Sequence, residues 1–185
     1  MPVNASNSDL DWQAPDFNLI SVDEQYYSLS KLSGKNGTLI AFICNHCPYV
    51  IRIIERLVSE SIELQNIGVS TIAIMSNDAK QYPEDSYEKM KEFSLKYHFK
   101  FHYLYDSTQQ VAKDYKAVCT PDFFGFNKDL QLKYRGRIDS KVVENDNNDI
   151  KREMYEAMKL ITETNHGPTN QFNSFGCSIK WINNE

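Results

Sequence analysis

The sequence predicts a single α/β domain in which helices flank a mixed central sheet, and three observations support this fold class. Short apolar runs bounded by turn residues alternate with longer stretches of helical periodicity. The last two predicted strands form a hairpin, and its antiparallel pairing makes the sheet mixed. The length of 185 residues corresponds to roughly one domain, and no internal repeat or long linker divides the chain. We therefore predict one domain over residues 1–185, with a short polar segment at 1–12 and a C-terminal tail at 165–185.

The first half of the chain predicts a hairpin, two buried strands and the helix between them. Partial alternation of apolar residues indicates an N-terminal β-hairpin over residues 16–30. A strand is predicted at 38–44, because its apolar run from Leu39 to Cys44 suits a strand covered on both faces. Pro48–Asn66 carries apolar residues at helical spacing, and Gly68 follows it as a stop signal. A second buried strand is predicted over Val69–Met75.

The second half predicts three helices, a short strand, a hairpin and an apolar tail. The first of these helices follows Pro83 and two acids, Glu84 and Asp85, which suit a helix N-terminus. A polar loop at 144–149 is expected to cap the last helix. In chain order the predicted elements are a helix at 87–97, a strand at 102–105, a helix at 109–116, a hairpin at 122–126 and 131–138, a helical stripe at 150–161 and a short tail at 177–182.

Composition and charge exclude several function classes. The 20 basic and 25 acidic side chains give a net charge of −5, without the basic excess that nucleic acids or anionic membranes attract. The longest apolar run has six residues, far fewer than the roughly 18 that span a bilayer. The first basic residue is Lys31, after five acids, which is unlike a secretory signal or a mitochondrial transit peptide. We expect a cytoplasmic protein without nucleic-acid or membrane partners.

The strongest chemical signal is the pair Cys44 and Cys47. Four cysteines in 185 residues are too few for a disulfide scaffold, and in a reducing compartment paired cysteines are more often catalytic or metal-binding. The pair lies where a predicted strand ends and a helix begins, and N–H groups at a helix N-terminus favour a thiolate. This C-x-x-C placement indicates a redox motif. The first thiol of such a pair is usually exposed, so we expect Cys44 to attack, with a pKa below about 8.5, and Cys47 to resolve.

His46 lies between the two cysteines, where it could tune the Cys44 thiolate or bind a metal ion. It is expected to tune the Cys44 thiolate by donating a hydrogen bond or a positive charge; the alternative is a solvent-facing residue without that role. Cys44, His46, Cys47 and Cys119 could together supply four zinc ligands. Structural zinc sites usually pair two knuckles of close ligands, however, and only one is present here. We therefore expect no metal and no other cofactor.

Four motifs together resemble the peroxiredoxin-like branch of the alkyl hydroperoxide reductase/thiol-specific antioxidant (AhpC/TSA) family, within the thioredoxin superfamily. The resemblance runs from about Leu10 to about Trp181. It implies a thioredoxin-like fold in which a cis proline, matched by Pro121, faces the cysteines. It also implies that the backbone of Thr120 aligns the substrate. The motifs are Ala14-Pro15-Asp16-Phe17, Cys44-x-x-Cys47, Thr120-Pro121-Asp122-Phe123-Phe124 and Tyr134-Arg135-Gly136-Arg137-Ile138-Asp139.

Departures from the family pattern bear on the activity. Typical peroxiredoxins carry Pro-x-x-x-Thr-x-x-Cys around the peroxidatic cysteine. Counting back from Cys47 places Cys44 and Ile40 at the Thr and Pro positions, and counting back from Cys44 fits no better. The hydroxyl that helps to activate the peroxide is therefore missing from the motif. Cys47 followed by Pro48 does resemble the peroxidatic Cys-Pro.

Two cysteines remain outside the motif. Cys119 lies two residues before Pro121, so it is expected near Cys44, either as a second resolving thiol or as a small buried hydrophobe. Cys177 lies in a segment that resembles the family's tail, and we expect a buried structural cysteine there.

The predicted function is thiol–disulfide oxidoreductase chemistry with Cys44, Cys47 and His46 as catalytic residues. Thr120, Pro121 and Cys119 are the expected substrate-binding residues. The first alternative is an AhpC/TSA-type thiol peroxidase that reduces peroxides. The second is a non-enzymatic binding module of the same fold whose cysteines sense redox state. The implied partners are a protein or small-molecule disulfide or peroxide substrate and an unidentified thiol electron donor.

Overall fold

A computed structural model describes residues 2–4, 10–142 and 150–182, and its main feature is a mixed seven-stranded sheet. The strands are β1 (Pro2–Asn4), β2 (Asn18–Ser21), β3 (Tyr26–Ser28), β4 (Gly37–Phe42), β5 (Val69–Met75), β6 (His102–Tyr105), β7 (Cys119–Thr120), β8 (Asp122–Asn127), β9 (Leu132–Gly136) and β10 (Phe175–Ser178). The large sheet has the order β3-β2-β6-β5-β4-β8-β9. Strands β4, β5 and β6 are parallel, and the remaining pairs are antiparallel. This arrangement confirms the expected fold class, including the N-terminal hairpin, which β2 and β3 form.

The helices follow the predicted apolar stripes, apart from one short addition. They are α1 (Leu29–Leu32), α2 (Pro48–Asn66), α3 (Tyr87–Lys96), α4 (Gln110–Asp114) and α5 (Glu153–Thr164), with 3-10 turns at Pro83–Asp85 and Ser140–Val142. Helix α1 is too short to show a period in the sequence, and the Ser28 hydroxyl caps it by accepting from the N–H of Lys31. Helix α5 begins at Glu153, three residues after the predicted start, and Arg152 is its N-cap residue. The loop at 144–149, which was expected to supply the cap, lies outside the described residues. No helix in the described part of the chain is long and apolar enough to cross a membrane.

The core is divided between the two faces of the sheet by the alternation of side chains along β4. Leu39 and Ala41 face the layer that contains α2 and α5. Ile40 and Phe42 face the opposite layer, where Phe17 belongs to the same apolar cluster. Strand β4 is therefore covered on both faces, which explains why its sequence is an unbroken apolar run.

The antiparallel pairing of β4 with β8 determines where the functional residues meet. Phe42 at the end of β4 lies opposite Asp122 at the start of β8. The residues that follow Phe42 and those that precede Asp122 therefore leave the sheet at the same edge. This register brings Thr120 and Pro121 to Cys44.

A second, three-stranded sheet has the order β1-β10-β7 and was not predicted. Residues 177–182 were expected to form an apolar tail, but β10 begins at Phe175 and pairs antiparallel with both neighbours. In this register Cys177 lies between Pro2 of β1 and Thr120 of β7. Strands of two to four residues carry too little alternation to be recognised in the sequence, and their pairing is entirely non-local.

Candidate active site

Cys44 and Cys47 lie between the end of β4 and the start of α2. Cys47 is the N-cap residue of α2, and Pro48 occupies its first turn, where a missing N–H costs nothing. Both thiols are free, and their exposed fractions are 1% and 0%. Burial of Cys44 corrects the expectation that the first thiol of the pair is exposed. Thiols this deep react only when the segments that cover them move aside or when a neighbouring thiol relays the exchange.

Thr120 contacts both sulfurs of the motif. Its Oγ1 lies 3.3 Å from Cys44 Sγ, and its carbonyl oxygen accepts a hydrogen bond of 3.2 Å from the Cys47 thiol. The Thr120–Pro121 peptide bond is cis, as the resemblance implied. The bond donated to the Thr120 carbonyl favours the protonated form of Cys47, so other contacts must supply the donors that stabilise its thiolate.

Those donors make Cys47 the more acidic of the two thiols. The Cys44 thiol donates to the Cys47 sulfur and, with the thiol of Cys177 and the backbone N–H groups of Val50 and Cys177, holds the pKa of Cys47 well below its ordinary value against the effect of burial. The pKa of Cys44 is raised for three reasons: its proton is held by the hydrogen bond to Cys47, its sulfur is buried, and Asp85 carries a negative charge nearby. This order is the reverse of the one expected from the sequence.

Cys177 therefore belongs to the site, although the sequence indicated only a structural cysteine at this position. It is partly exposed, and its thiol donates to the Cys47 sulfur. Burial and this bond to Cys47 raise the pKa of Cys177 to about 11, so it is a thiol at neutral pH. The contact exists because β10 pairs with β7 and brings Cys177 opposite Thr120.

Cys119 occupies the position next to Thr120 but makes a different contact. Neighbouring residues of a strand point to opposite faces, so the side chain of Cys119 is directed away from the face that Thr120 presents to Cys44. Its sulfur lies 3.6 Å from the carbonyl oxygen of Pro121, to which it donates, and it is fully buried. Burial raises the pKa of Cys119 far above its ordinary value. These features favour the packed-thiol interpretation of Cys119 over a role in substrate binding.

His46 contacts a carboxylate rather than the thiol it was expected to tune. Its Nδ1 lies 2.8 Å from Oδ2 of Asp85, and its ring stacks on Tyr82 with centroids 5.7 Å apart. The hydrogen bond to Asp85 raises the pKa of His46. The Asp85 charge opposes ionisation of Cys44, and a protonated His46, with a ring nitrogen within 4.8 Å of both the Asp85 carboxylate and the Cys44 sulfur, counters that effect.

Asp85 is the residue of this site that sequence analysis missed. It is fully buried, and its Oδ1 accepts a 2.8 Å bond from the backbone N–H of Asn45. Its Oδ2 accepts a 2.7 Å bond from the side-chain amide of Asn77. The phenol of Tyr103 donates to Asn45 Oδ1 and further fixes the loop between the cysteines. In the sequence, Asp85 was recognised only as an acid near a helix N-terminus, because nothing local indicates a bond to Asn45.

A metal site at the motif would differ from the one considered in the sequence. Ligand atoms of Cys44, His46 and Asp85 lie within 4.8 Å of one another, and Asp85 rather than Cys119 completes this cluster. Both oxygens of Asp85 already accept N–H hydrogen bonds. A cation would have to compete with those bonds, so the arrangement is best described as hydrogen-bonded support for the motif loop.

Comparison with known proteins identifies the family. The model of the AhpC/TSA family matches residues 11–135, more than half of the chain. The chain belongs to the AhpC/TSA family. No curated protein matches it. Two solved structures resemble nearly the whole chain of this AhpC/TSA protein, and neither protein has a name that states an activity.

The first is an uncharacterized conserved protein from Geobacillus kaustophilus, 41% identical, with a TM-score of 0.93 and coverage of 98% of this chain and 97% of that one. The second is a hypothetical protein from Sinorhizobium meliloti 1021, 32% identical, with a TM-score of 0.90 and coverage of 97% and 98%. The peroxidoxin BcpB from Mycobacterium tuberculosis is 16% identical with a TM-score of 0.56, over 66% of this chain and 81% of that one. At that identity the similarity shows the fold alone.

A titration of thiolate absorbance tests the order of acidity in this AhpC/TSA protein. We expect one thiolate at neutral pH in the reduced wild type, no such thiolate in Cys47→Ser, and an unchanged signal in the matched control Cys119→Ser. Cys44→Ala should raise the Cys47 midpoint, because Cys44 is the largest contributor to its low pKa. A neutral-pH thiolate that survives in Cys47→Ser and disappears in Cys44→Ala would restore the order expected from the sequence.

The contact between His46 and Asp85 predicts a pH-dependent stability. The folded pKa of His46 is raised, so the stabilisation is complete below the unfolded pKa of about 6.5 and is lost as pH rises through the folded pKa. We expect the free energies of unfolding of wild type and His46→Gln, measured in urea, to differ most near pH 6. The difference should shrink as pH rises toward 9. A difference that stays constant over this range would contradict a charged partner for Asp85.

Proposed function

We propose that this protein is a thiol–disulfide oxidoreductase that cycles Cys44 and Cys47 between the dithiol and the disulfide. The observation that carries the proposal is the pair of free thiols held against Thr120, 3.3 Å from its hydroxyl and 3.2 Å from its carbonyl, at the N-terminus of α2. The helix N-terminus and the N–H donors around Cys47 stabilise a thiolate there, and a thiolate is the species that attacks disulfides.

The pKa order supports Cys47 as the attacking sulfur, in place of Cys44. The Cys47 thiolate attacks one sulfur of a substrate disulfide, the substrate S–S bond breaks, and the first substrate thiolate leaves. Cys47 in the mixed disulfide no longer carries a negative charge, so the charge that held the proton on Cys44 is gone. Cys44 then attacks the Cys47 sulfur, releases the second substrate thiolate and closes the Cys44–Cys47 disulfide. An external thiol donor restores the dithiol.

A second candidate function is thiol peroxidase activity, with Cys47 again as the reacting residue. Cys47 is followed by Pro48 and its pKa is lowered, whereas the Thr120 hydroxyl lies at Cys44 and it is the Thr120 carbonyl that contacts Cys47. In this reaction the Cys47 thiolate attacks one peroxide oxygen, the S–O bond forms as the O–O bond breaks, the other oxygen leaves as hydroxide or alkoxide, and Cys47 becomes a sulfenic acid. The missing Pro-x-x-x-Thr-x-x-Cys pattern leads us to expect turnover below that of a conventional peroxiredoxin.

Two assays on the same preparation separate the alternatives. Reduction of insulin disulfides, driven by dithiothreitol, measures disulfide exchange, and stopped-flow oxidation by hydrogen peroxide measures peroxidase chemistry. We expect insulin reduction above the dithiothreitol background and slow oxidation by peroxide. Fast second-order oxidation with no insulin reduction would make the peroxidase the primary function. If the protein neither reduces insulin nor is oxidised quickly by peroxide, the non-enzymatic binding module that senses redox state becomes the favoured function.

The compartment and the partners are part of the proposal. We place the protein in the cytoplasm because four cysteines in 185 residues are too few for the disulfide scaffold that an oxidising compartment favours. The proposed substrate is a protein or small-molecule disulfide, and the electron donor is a thiol. His46 counters the Asp85 charge beside Cys44, whereas Thr120 and Pro121 position the substrate beside the two thiols.

A further inference from the structure

The cysteine outside the motif that lies closest to the chemistry is Cys177 in β10. Antiparallel pairing places it opposite Thr120, the residue that contacts both motif sulfurs. It packs against the buried cluster that includes both motif cysteines, and its thiol and backbone N–H help to lower the pKa of Cys47. Cys47 is thus flanked by two thiols, Cys44 from its own loop and Cys177 from the C-terminal strand.

Strand β10 packs closely against Thr120 of β7 and against the first turn of α2. A Cβ atom on Gly176 would lie 2.1 Å from the carbonyl oxygen of Thr120, which is closer than atoms can approach, so glycine is needed for this approach. The ring of Phe175 packs edge-on against Tyr49 in the first turn of α2, with centroids 5.1 Å apart. The contacts of these two residues, which precede Cys177 in β10, fix the strand beside Thr120 and the first turn of α2.

Exposure distinguishes the three thiols. Cys44 and Cys47 are 1% and 0% exposed, whereas Cys177 is partly exposed. An external thiol that reduces this protein meets almost no accessible surface on the motif sulfurs. Of these three residues, Cys177 is the one with exposed surface.

We propose that Cys177 is a third redox thiol, which takes Cys47 into a Cys47–Cys177 disulfide and so passes the oxidising equivalent from the buried motif to a more accessible sulfur. The proposal rests on the proposed disulfide chemistry of Cys44 and Cys47. It assigns to β10 a catalytic role in place of the structural one expected from the sequence.

The transfer is a thiol–disulfide exchange that balances without any outside oxidant. Cys177, as its thiolate, attacks the Cys47 sulfur of the Cys44–Cys47 disulfide. The Cys47–Cys177 bond forms, the Cys44–Cys47 bond breaks, and Cys44 leaves as a thiolate that takes up the proton lost by Cys177. In the dithiol state, burial and the bond to the Cys47 sulfur hold the proton on Cys177. Oxidation of Cys47 removes that anionic acceptor, so Cys177 ionises more readily when exchange is required.

Disulfide mapping in a Cys44→Ser background tests the proposal without depending on substrate turnover. The reduced variant is oxidised with diamide, quenched with an alkylating agent and digested. We expect an intramolecular Cys47–Cys177 peptide pair in the monomer. The double variant Cys44→Ser/Cys177→Ser should lose it, and the matched control Cys44→Ser/Cys119→Ser should keep it. A Cys47–Cys119 bond, or only intermolecular dimers, would overturn the proposal.

A second measurement uses the full set of cysteines. In oxidised wild type we expect a fraction of molecules with Cys44 alkylated and Cys177 protected. Reduction of the oxidised protein by glutathione should be several-fold slower in Cys177→Ser than in Cys119→Ser. If Cys177 is fully alkylated in the oxidised wild type, and Cys177→Ser is reduced by glutathione as fast as Cys119→Ser, the proposed transfer to Cys177 is refuted. If insulin reduction fails while the Cys47–Cys177 bond forms, the function assigned above is wrong but the third thiol stands.

Discussion

Cys47→Ser is expected to lower the rate of insulin reduction by on the order of 1,000-fold or more, as loss of a catalytic nucleophile does in other enzymes. Cys47 carries the low pKa and contacts both of the other thiols at the site, so every step of the proposed cycle passes through its sulfur. Cys44→Ser should be less damaging in a single turnover, because the attacking thiolate remains. Multiple turnovers then depend on resolution by another thiol. Rates from the insulin assay and from a single-turnover assay with a chromogenic disulfide provide the measurement.

The matched control for this prediction is Cys119→Ser. Cys119 is as deeply buried as Cys47 and lies next to Thr120, but its sulfur donates to Pro121. We expect its single-turnover rate to stay within about twofold of wild type, since its packing role does not touch the reacting atoms. If Cys44→Ser abolishes the single-turnover reaction while Cys47→Ser retains it, the attacking sulfur is Cys44, and Cys47 is not the nucleophile that its low pKa indicates.

Arg135→Met is expected to reduce the free energy of unfolding by about 3–5 kcal/mol, the cost of removing one partner from a buried ion pair. The guanidinium of Arg135 donates a 3.0 Å bond to Asp122, whose carboxylate is completely buried immediately after Pro121. It also donates to the carbonyl of Lys116 and lies over the ring of Phe124. Without Arg135, the Asp122 charge has no counterion at the edge of the sheet that carries Thr120. Urea unfolding at neutral pH measures the loss.

A double variant separates the charge effect from lost packing. In Arg135→Met/Asp122→Asn the buried charge is absent, so the loss should be smaller than the sum of the two single losses by about 1 kcal/mol or more, the coupling of residues in direct contact. Burial raises the pKa of Asp122, and removing Arg135 removes the charge that opposes this effect, so protonation should partly rescue Arg135→Met at low pH. A loss below about 1 kcal/mol in the single variant would show that this ion pair does not anchor the loop.

Much of the fold is predictable because its signals are local. Helix α2 and strands β5 and β6 have the predicted bounds, since apolar periodicity and the flanking turn residues lie within the elements themselves. Helix α4 is shorter than predicted, because Gln109 and Lys116 adopt left-handed conformations at its two ends. The strands β1, β7 and β10 lack such signals because they have two to four residues each and exist through pairing with distant segments.

The chemistry of the site divides in the same way. The sequence by itself determined the C-x-x-C pair and its place between β4 and α2, because spacing and order along the chain encode both. The cis proline was expected through the family resemblance, which the Thr120-Pro121 motif carries. Only the tertiary structure decided which thiol is acidic, what His46 contacts and which further residues join, among them Asp85 and Cys177 from distant parts of the chain. Hydrogen bonds and pKa values depend on distances between such segments, and those distances are set when the sheets assemble.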